Sequence, residues 1–547
     1  MRGIDADPPA DVMPRVIING LEVDAAAGRT LLDVARDLGV EIPTLCHLPG
    51  RKPHTSCMVC VVRDRATEAF LPACSAPVRD GMVIVTDSPE VLEARRVALE
   101  LLLSDHPADC EGPCRRFCPA GMEIPRMIRQ IAAGDFDAAL QTVKRDIPLP
   151  ATLGRICPAP CERGCRRREA DAAVSICRLK RFVADTDLSR AAPFRPATAP
   201  PSGRTVFIAG AGPAGISAAY YLAVRGHRCI VADPQPEPGG ALRTHLSAER
   251  LPPEIVTAEV RALRDLGVEF WTGVALGRDV ELADALRGYD AVVLAIGPRE
   301  RRVDPGAGMP AETARGIAVD RETHRTGVER VFACGAAVAP CRMAIRAVAE
   351  GKTVARAVDA LLRGGSPGTA RRFNSRLGRL EEGEWADFRA GAAMRARVEP
   401  AGGAGAGFSA AEARAEAERC LHCDCRKREE CRLRLFAERY GAHQNRFSGE
   451  RRRAVRIVRD HADILYEPAK CISCGICVRI AEEHREELGL TFIGRGFDVR
   501  VETPFGESLA KGLYRAALAC AEACPTGALC RREEPTGKSA AESEVES

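Results

Sequence analysis

The sequence predicts a multidomain protein that combines α/β and α+β folds, and three observations lead to this prediction. The chain has 547 residues, too long for one hydrophobic core and typical of roughly three to five domains. Residues 200–365 alternate between strand-like and helix-like patterns, as an α/β domain does. Outside that segment, 21 of the 24 cysteines fall into five tight groups. We therefore expect one α/β domain flanked by small cysteine-rich domains.

Six segments are expected along the chain. They are an amino-terminal domain with strand-like runs and an amphipathic helix (15–105), a helical cysteine-rich domain (106–190), the α/β domain (200–365), a Gly/Ala-rich linker (366–410), a carboxy-terminal cysteine-rich region (411–531) and a disordered tail (532–547).

Composition and charge exclude several classes of protein. The net charge is only +4 and both signs are interspersed, so no global field favours nucleic acid or acidic lipid. The first twenty residues contain no apolar signal-peptide core, and grouped thiols in a long chain without one favour metal binding over disulfides. The uncharged stretch Thr205–Val224 is long enough to span a membrane, but its GAGPAG motif favours a strand, a glycine turn and a helix. We expect a cytoplasmic protein without a membrane span or a nucleic-acid partner.

The first cysteine group follows the pattern C-x10-C-x2-C-x13-C and consists of Cys46, Cys57, Cys60 and Cys74. A long loop beside a C-x2-C pair lets one backbone segment wrap a two-iron cluster. The segments PTLCHLPGRKPHTSCMVCVV and LPACSAPVRDGMVIVTDSP resemble the amino-terminal domain shared by the complex I large iron–sulfur subunit, iron-only hydrogenases and some formate dehydrogenases. That resemblance implies a β-grasp fold with one 2Fe–2S cluster on these four residues.

The second and third groups, Cys110–Cys118 and Cys157–Cys177, lie in residues 106–190, where thiols recur four residues apart and share helix faces. CPAGMEIPRMIRQIAAGDFDAA and GRICPAPCERGC resemble the amino-terminal domain of the glutamate synthase small subunit and of dihydropyrimidine dehydrogenase. The resemblance implies two 4Fe–4S clusters, one on Cys118, Cys157, Cys161 and Cys177. The other would use Cys110, Cys114, Cys165 and a fourth ligand. His106 is the candidate, because SDHPADC resembles the histidine-ligated site of complex I, although a capping role for this histidine stays open.

A glycine-rich turn in RTVFIAGAGPAGISAAYYLAVRGHRCIVADPQ lies between a predicted strand and a predicted helix. Gly210, Gly212 and Gly215 allow a tight turn and a close approach to a pyrophosphate, and Asp233 can bind a ribose hydroxyl. PGGALR, DAVVLAIG and VFACGAAVAPCRMAIRAVAEGKTVA resemble the flavin side of the glutamate synthase small-subunit family. The resemblance implies FAD rather than NAD. The further residues that it implies for FAD binding are Gly239, Gly240, Arg243 and Gly335.

Two departures from that family change the functional expectation. The family inserts a second Rossmann unit for NADPH between segments like Gly297 and Val331, but here only about thirty residues intervene, as many as one βαβ unit needs. We therefore expect no NAD(P)H site. The family also has Gly-Asp where this chain has Gly335-Ala336, so one hydrogen bond to FAD, worth roughly 1–3 kcal/mol, is expected to be missing.

The fourth group places four cysteines within twelve residues in AERCLHCDCRKREEC. Four thiolates this close favour either a 4Fe–4S cluster or a structural zinc ion. The candidate ligands are Cys420, Cys423, Cys425 and Cys431.

The last group resembles a bacterial two-cluster ferredoxin from which one cluster has been lost. YEPAKCISCGICVRIAEE and CAEACPTGALC retain one full set of ligands, because the cysteine before proline ligates the cluster of the opposite run in such proteins. Ala481 replaces a ligand of the other set, of which Cys520 is a remnant, and Cys530 matches no ligand position. One 4Fe–4S cluster is expected, on Cys471, Cys474, Cys477 and Cys524.

Together these segments predict an iron–sulfur flavoprotein oxidoreductase subunit with FAD, one 2Fe–2S cluster and two to four 4Fe–4S clusters. It would relay electrons to or from a redox partner, either a ferredoxin or a subunit such as an NAD(P)H-oxidising flavoprotein, a hydrogenase or a formate dehydrogenase. One alternative is a self-sufficient NAD(P)H-dependent reductase of the glutamate synthase small-subunit type. Another is a non-catalytic iron–sulfur scaffold that has lost its flavin.

Overall fold

The computed structural model describes residues 13–532 except residue 27, residues 299–307, residues 366–372, residue 404, residue 448 and residues 450–451. The chain forms two compact units. The first unit consists of residues 1–111, 371–388 and 424–547, and the second of residues 112–370 and 389–423. The predicted linker therefore contributes to both units. The predicted tail, apart from Arg532, lies outside the described residues.

The described strands are β1 (Arg15–Ile18), β2 (Leu21–Asp24), β3 (Val61–Asp64), β4 (Phe70–Pro72), β5 (Met82–Val85), β6 (Thr205–Ala209), β7 (Arg228–Asp233), β8 (Glu269–Thr272), β9 (Ala291–Leu294), β10 (Glu312–Thr313), β11 (Gly316–Ile317), β12 (Val331–Ala333), β13 (Ile464–Tyr466), β14 (Thr491–Ile493), β15 (Arg500–Glu502) and β16 (Leu529–Arg531).

The described α-helices are α1 (Leu31–Asp37), α2 (Pro89–Ser104), α3 (Pro113–Phe117), α4 (Ile124–Ala133), α5 (Phe136–Asp146), α6 (Pro150–Ile156), α7 (Pro160–Arg163), α8 (Ile176–Leu188), α9 (Pro213–Val224), α10 (Ala241–Thr244), α11 (Pro253–Asp265), α12 (Leu282–Gly288), α13 (Ala344–Leu362), α14 (Trp385–Arg389), α15 (Ala410–Ala417), α16 (Arg432–Arg439), α17 (Ile476–Glu483), α18 (Leu509–Gly512) and α19 (Ala517–Ala523).

The amino-terminal part of the first unit is a five-stranded mixed sheet with the order β2-β1-β5-β3-β4. β1 and β5 run parallel, and the other neighbours are antiparallel. Thr30 caps the start of helix α1, and its hydroxyl accepts a hydrogen bond from the Asp33 amide (3.2 Å). The apolar side of α1 shares a core with β1, β3 and β5. This element order agrees with the predicted β-grasp fold, whose name stays a prediction.

The second unit contains the predicted α/β domain, a parallel sheet with the order β12-β9-β6-β7-β8. Val206 and Ile208 of β6 enter the core shared with α9, whereas Phe207 and Ala209 enter the core on the opposite face. Both faces of β6 are thus buried, which explains its continuous apolar run. The uncharged stretch noted in the sequence forms β6, a turn and α9, as predicted.

Helix α13 packs closely against α9 at Gly351. A Cβ atom at this position would lie 2.3 Å from the carbonyl oxygen of Ala214, so any side chain would force the helices apart. Close packing here keeps the loop that precedes α13 near the glycine turn that precedes α9.

The cysteine-rich part of the second unit is helical, as predicted, and runs from α3 to α8. Its loops are tied to the later segment 389–423 through Glu416 of α15, which is fully buried. The carboxylate of Glu416 accepts hydrogen bonds from the amides of Ser175 (2.7 Å) and Val398 (2.8 Å) and pairs with Arg419. Part of the predicted linker is therefore packed rather than free.

No helix in the described portion of the chain is both long enough and apolar enough to cross a lipid bilayer.

Candidate cofactor sites

Thiol site 1 lies in the first unit and contains the first cysteine group (Cys46, Cys57, Cys60 and Cys74). Two of these cysteines directly precede β3 and one follows β4, so the sheet fixes their backbone. All four thiols are buried, and none of them belongs to a disulfide. Cys46 is within hydrogen-bonding reach of Cys57 and Cys74, and Cys74 also of Cys60. These hydrogen bonds and burial raise the pKa of Cys74.

Such crowding suits a metal cluster. Four buried thiols in mutual contact repel one another once they ionise, unless a cation neutralises them. The amides of Ser56 and Cys57 also point at the Cys46 sulfur and stabilise its thiolate. The chemistry of this donor set fits the predicted 2Fe–2S cluster.

Thiol site 2 lies in the second unit and contains Cys118, Cys157, Cys161 and Cys177. The ends of α3 and α6, the short α7 and the first turn of α8 supply one thiol each. The thiols of Cys157 and Cys177 are in hydrogen-bond contact, as are those of Cys177 and Cys161. The amides of Ala120 and Met122 donate to Cys118. The structure thus brings together the four cysteines that the resemblance assigned to one 4Fe–4S cluster.

A buried lysine stands among these four thiols. Lys180 of α8 is 3% exposed, and its Nζ atom lies 3.9 Å from the Cys177 sulfur. Burial alone lowers the pKa of Lys180, but the electrostatic effect of all four thiolates outweighs burial and raises it.

Thiol site 3, also in the second unit, was not predicted as a set. Its four cysteines line one small cavity together with apolar side chains of α4, of the loop before α8 and of Leu421, and they are Cys114, Cys165, Cys420 and Cys423. The amides of Arg167, Arg168 and Val174 point at the Cys165 sulfur. Four convergent thiols with amide donors fit a second 4Fe–4S cluster in this unit.

This cavity differs from the ligand set expected from the sequence. Cys110 belongs to the first unit and is not one of the lining residues. The fourth cysteine group is likewise divided, because the boundary between the units falls after Cys423. Cys425 and Cys431 belong to the first unit, so the four do not form one set within either unit. The physical reason is that segment 389–423 folds against α4 and α8, a contact that local spacing does not encode.

Thiol site 4 lies in the first unit and contains Cys110, Cys425 and Cys431. The Cys425 amide donates to the Cys110 carbonyl (3.4 Å). Burial, followed by the charge of Cys425, raises the pKa of Cys110 to about 11 and that of Cys431 to about 12. A Cβ atom on Gly527 would lie 2.3 Å from the Cys425 sulfur, so only glycine fits beside this thiol.

His106 lies beside this site. Its ring donates to the backbone carbonyl of Lys470, which also neighbours Cys110 and Cys425. Its Nδ1 atom is buried and has no hydrogen-bond partner within the described residues. Burial lowers the pKa of His106 to about 4, so the ring is neutral at pH 7. A neutral, oriented imidazole with one unused nitrogen is suited to metal ligation.

Thiol site 5 lies in the first unit and contains Cys471, Cys474, Cys477 and Cys524. The amide of Ser473 donates to the Cys471 sulfur (3.4 Å). Burial and the charges of neighbouring thiolates raise the pKa of Cys471 to about 11, and they also raise the pKa of Cys477. Cys520 donates instead to the Cys477 carbonyl (3.6 Å). The structure thus gathers the predicted set and gives Cys520 a different contact.

The three thiol sites of the first unit are neighbours. Cys474 of thiol site 5 lies close enough to Cys46 of thiol site 1 for their charges to interact. Cys524 of thiol site 5 interacts in the same way with Cys431 of thiol site 4. Thiol site 5 therefore lies next to both of the others.

A cavity of about 580 Å³ opens at the carboxyl ends of the parallel strands of the second unit. Gly210, Gly212, Asp233, Gly240 and Gly335 line it, as the sequence predicted. Ligands of open α/β sheets bind at this edge, and the volume suits a cofactor.

No side chain fits at two positions of the glycine turn. Gly210 has a φ of 107°, and a Cβ atom there would lie 2.3 Å from the carbonyl oxygen of Ala295. A Cβ atom on Gly215 would lie 1.9 Å from the carbonyl oxygen of Gly210. The Asp233 carboxylate accepts from the amide of Ala211 (2.6 Å) and so holds the turn as well as facing the cavity.

Three predicted residues do not line the cavity. Gly215, Gly239 and Arg243 are not among the lining residues, and the Arg243 guanidinium instead donates to the Pro238 carbonyl (2.7 Å) and the Thr257 hydroxyl (2.8 Å). Ala336 does line it, and the adjacent Gly335 amide donates to Glu350 (2.7 Å).

Sequence reasoning missed the residues that join the cavity to thiol site 2. Ile156 and Pro158 both line the cavity, and Cys157 stands between them in the chain. The proximity of these motifs in space has no signal in the sequence, because about fifty residues separate Cys157 from the glycine turn.

Comparison with protein families gives three matches in chain order. Residues 13–89 match a 2Fe-2S iron–sulfur cluster binding domain. Residues 104–192 match the 4Fe-4S cluster domain II of dihydropyrimidine dehydrogenase. Residues 208–267 match an NAD(P)-binding Rossmann-like domain.

Several relatives are similar to part of the chain. The NADP(+)-dependent formate dehydrogenase subunit beta of Moorella thermoacetica is 38% identical over 206 residues, which cover 34% of this chain and 29% of the relative. The NADPH-Fe(3+) oxidoreductase subunit beta of Geobacter sulfurreducens is 36% identical over 189 residues, covering 34% and 28%. The glutamate synthase [NADPH] small chain of Escherichia coli is 32% identical over 219 residues, covering 39% and 45%.

The chain spans less than half the length of each of these relatives. The family matches confirm the predicted fusion: a 2Fe–2S domain, a 4Fe–4S domain of the dihydropyrimidine dehydrogenase type and a Rossmann-like domain follow one another in this chain.

Proposed function

We propose that this chain is the electron-transferring subunit of an iron–sulfur flavoprotein oxidoreductase, in which FAD, one 2Fe–2S cluster and four 4Fe–4S clusters are linked. The observation that carries the proposal is the placement of Cys157 between two residues that line the cavity, Ile156 and Pro158. When bound, FAD would exchange electrons in pairs with a partner and singly with the clusters.

Different residues of the cavity would bind different parts of FAD. Gly210 and Gly212 would let the pyrophosphate approach the start of α9, whose backbone amides favour an anion. The Asp233 carboxylate already accepts a hydrogen bond from the Ala211 amide, and its remaining lone pairs would orient the ribose. Ala336 would contribute no hydrogen bond, so binding would be weaker than in proteins with an acid there.

Thiol sites 1, 2, 3 and 5 would each hold one cluster on four cysteines. At thiol site 4, Cys110, Cys425 and Cys431 would be joined by His106 as the fourth ligand. The support is its buried Nδ1 atom without a hydrogen-bond partner among the described residues. Cys530 is the alternative, because it also neighbours Lys470 and Cys425. The proposal contains no zinc site, since the four cysteines considered for zinc are divided between the units.

The partner would be a subunit that oxidises or reduces the substrate. The relatives named above are themselves called subunit beta or small chain, and all three carry NADP(+) or NADPH in their names. For this chain we propose a ferredoxin or a dehydrogenase or hydrogenase subunit as the redox partner.

The test is an anaerobic titration of the full chain, loaded with FAD and clusters, using NADH, NADPH and dithionite. We expect dithionite to bleach the flavin and cluster absorbance and neither nicotinamide to do so within minutes, because no second glycine fingerprint follows the first. The variant Cys157→Ala should leave FAD bound and slow electron exchange between FAD and the remaining clusters.

The rival function is a self-sufficient NAD(P)H-dependent reductase. The names of the relatives and the NAD(P)-binding description of residues 208–267 favour it. Fast bleaching by either nicotinamide would establish it and reject the partner-dependent relay. FAD that fails to bind at one per chain would instead favour a scaffold role.

A further inference from the structure

Lys180 is the buried cation of thiol site 2, and its surroundings are unusual for a lysine in this protein. The described part of the chain contains four buried lysines. Lys144 pairs with Asp187 (3.0 Å) and Lys470 with Glu467 (2.6 Å). Lys427 donates to three backbone carbonyls at 2.6–2.8 Å. Among the described residues, the partner of Lys180 is only the Cys177 thiol (3.9 Å).

A buried ammonium group without a counter-charge is costly, because burial removes its hydration. Neutral thiols cannot offset the lost hydration, since they carry no charge. A 4Fe–4S cluster can offset it, because the cluster and its four thiolates together have a net negative charge. The anion that matches Lys180 is therefore the cluster itself.

We propose that Lys180 is a positioning residue that raises the reduction potential of the cluster at thiol site 2 and so makes it the one-electron partner of the flavin. The inference rests on the proposed function and deepens it. When the cluster takes up one electron from the reduced flavin, its negative charge grows by one and the flavin loses that electron. A fixed positive charge beside the cluster favours the reduced form more than the oxidised form.

The position of Lys180 on α8 supports this role. It follows Cys177 by three residues, one helical turn, so the same helix carries a ligand and its counter-charge. Cys157 of the same site is flanked by the two cavity residues Ile156 and Pro158. A raised potential is thus placed at the thiol site that adjoins the flavin cavity.

The test compares full-length variants, loaded with iron and sulfide, by redox titration followed with electron paramagnetic resonance. The signal of thiol site 2 is assigned as the one lost in Cys161→Ala. We expect Lys180→Met and Lys180→Gln to keep this signal and to lower its midpoint potential by at least the equivalent of a tenfold change in the redox equilibrium, about 59 mV for one electron. Lys180→Arg, which keeps the positive charge, should keep most of the wild-type midpoint potential.

Arg178→Met is the matched control. Arg178 lies on the same helix and already pairs with Glu399, so its removal should leave the midpoint potential of thiol site 2 unchanged. An equal shift in this variant would overturn the specific role of Lys180.

The remaining outcomes also decide the matter. Retained clusters with unshifted potentials in both neutral variants would reject the inference and leave the proposed function intact. Loss of the cluster in both neutral variants but not in Lys180→Arg would support the counter-charge role. Loss in all three would assign Lys180 to packing and overturn it. If Cys161→Ala loses no signal, the ligand set of the proposed function itself fails.

Discussion

At the scale of single residues, burial governs the protonation of the grouped cysteines. Burial keeps a thiol protonated, and it raises the pKa of Cys110 to about 11 and that of Cys431 to about 12. A cluster requires the thiolate, so iron must displace those protons when it binds. A buried thiol without a metal stays protonated and behaves as a small apolar group. Replacing one proposed ligand should therefore remove metal without leaving an unpaired charge in the core.

The division of the fourth cysteine group gives a direct prediction. Cys420→Ala and Cys425→Ala should each remove about four irons per chain, and the double variant about eight, because the two residues serve different thiol sites. The measurement is iron and sulfide content of anaerobically purified protein. Cys229→Ala is the control, since its buried thiol donates to the Ala219 carbonyl (3.7 Å) and has no cluster. If the double variant loses no more iron than either single variant, the two cysteines belong to one shared site and the prediction is wrong.

At the scale of secondary structure, α6 is held in place by a carboxylate from another helix. Glu259 of α11 is buried, and it accepts hydrogen bonds from the amides of Ala151 (2.6 Å) and Thr152 (3.0 Å) at the start of α6. Because α6 ends at the ligand Cys157, Glu259 helps to fix the backbone that thiol site 2 shares with the cavity. Burial raises the pKa of Glu259 to about 7.

This carboxylate should make stability depend on pH. Its pKa rises from an ordinary 4.5 to about 7 on folding, so between these values the folded state binds more protons than the unfolded state. The free energy of unfolding should therefore fall as pH rises through that window. Relative to the wild type, Glu259→Gln should gain roughly 1–3 kcal/mol between pH 5 and pH 8.

Urea unfolding of the second unit, followed by circular dichroism at several pH values, measures this difference. Glu254→Gln, an exposed change in the first turn of the same helix, serves as the control and should show no such trend. A difference between wild type and Glu259→Gln that stays constant from pH 5 to pH 8 would contradict the assignment.

At the scale of the whole molecule, the cofactor sites are divided between the two units. The first unit holds thiol sites 1, 4 and 5, and the second holds thiol sites 2 and 3 and the cavity at the glycine turn. Within the first unit, thiol site 5 neighbours both others through the pairs Cys46–Cys474 and Cys431–Cys524. An electron that moves between thiol sites 1 and 4 is therefore expected to pass through thiol site 5.

Removal of thiol site 5 tests that order. Cys474→Ala should lose about four irons per chain. The reduced 2Fe–2S signal of thiol site 1 should then lose the fast spin relaxation that a paramagnetic neighbour causes. Iron analysis and power saturation of the resonance signal measure both effects, with Cys341→Ala of the second unit as the control. Unchanged iron content, or unchanged relaxation after iron is lost, would remove thiol site 5 from the route.

Local patterns in the chain were enough to predict thiol site 1 and the glycine turn, because their residues lie within motifs whose geometry is set by neighbouring residues. The cysteine sets of thiol sites 2 and 5 were instead implied by resemblance to known families. The strand, turn and helix of Thr205–Val224 were also predicted from a local signal, the glycine motif within an apolar stretch.

The tertiary structure alone brought distant segments together. Cys420 and Cys423 lie beside Cys114 and Cys165 because segment 389–423 packs on α4 and α8, which buries Glu416 beneath it. It also brought Ile156 and Pro158 to the cavity at the glycine turn. Spacing along the chain sets which thiols can share a turn, but the choice among distant partners depends on which apolar faces become buried against one another, and that is decided only when the whole chain packs.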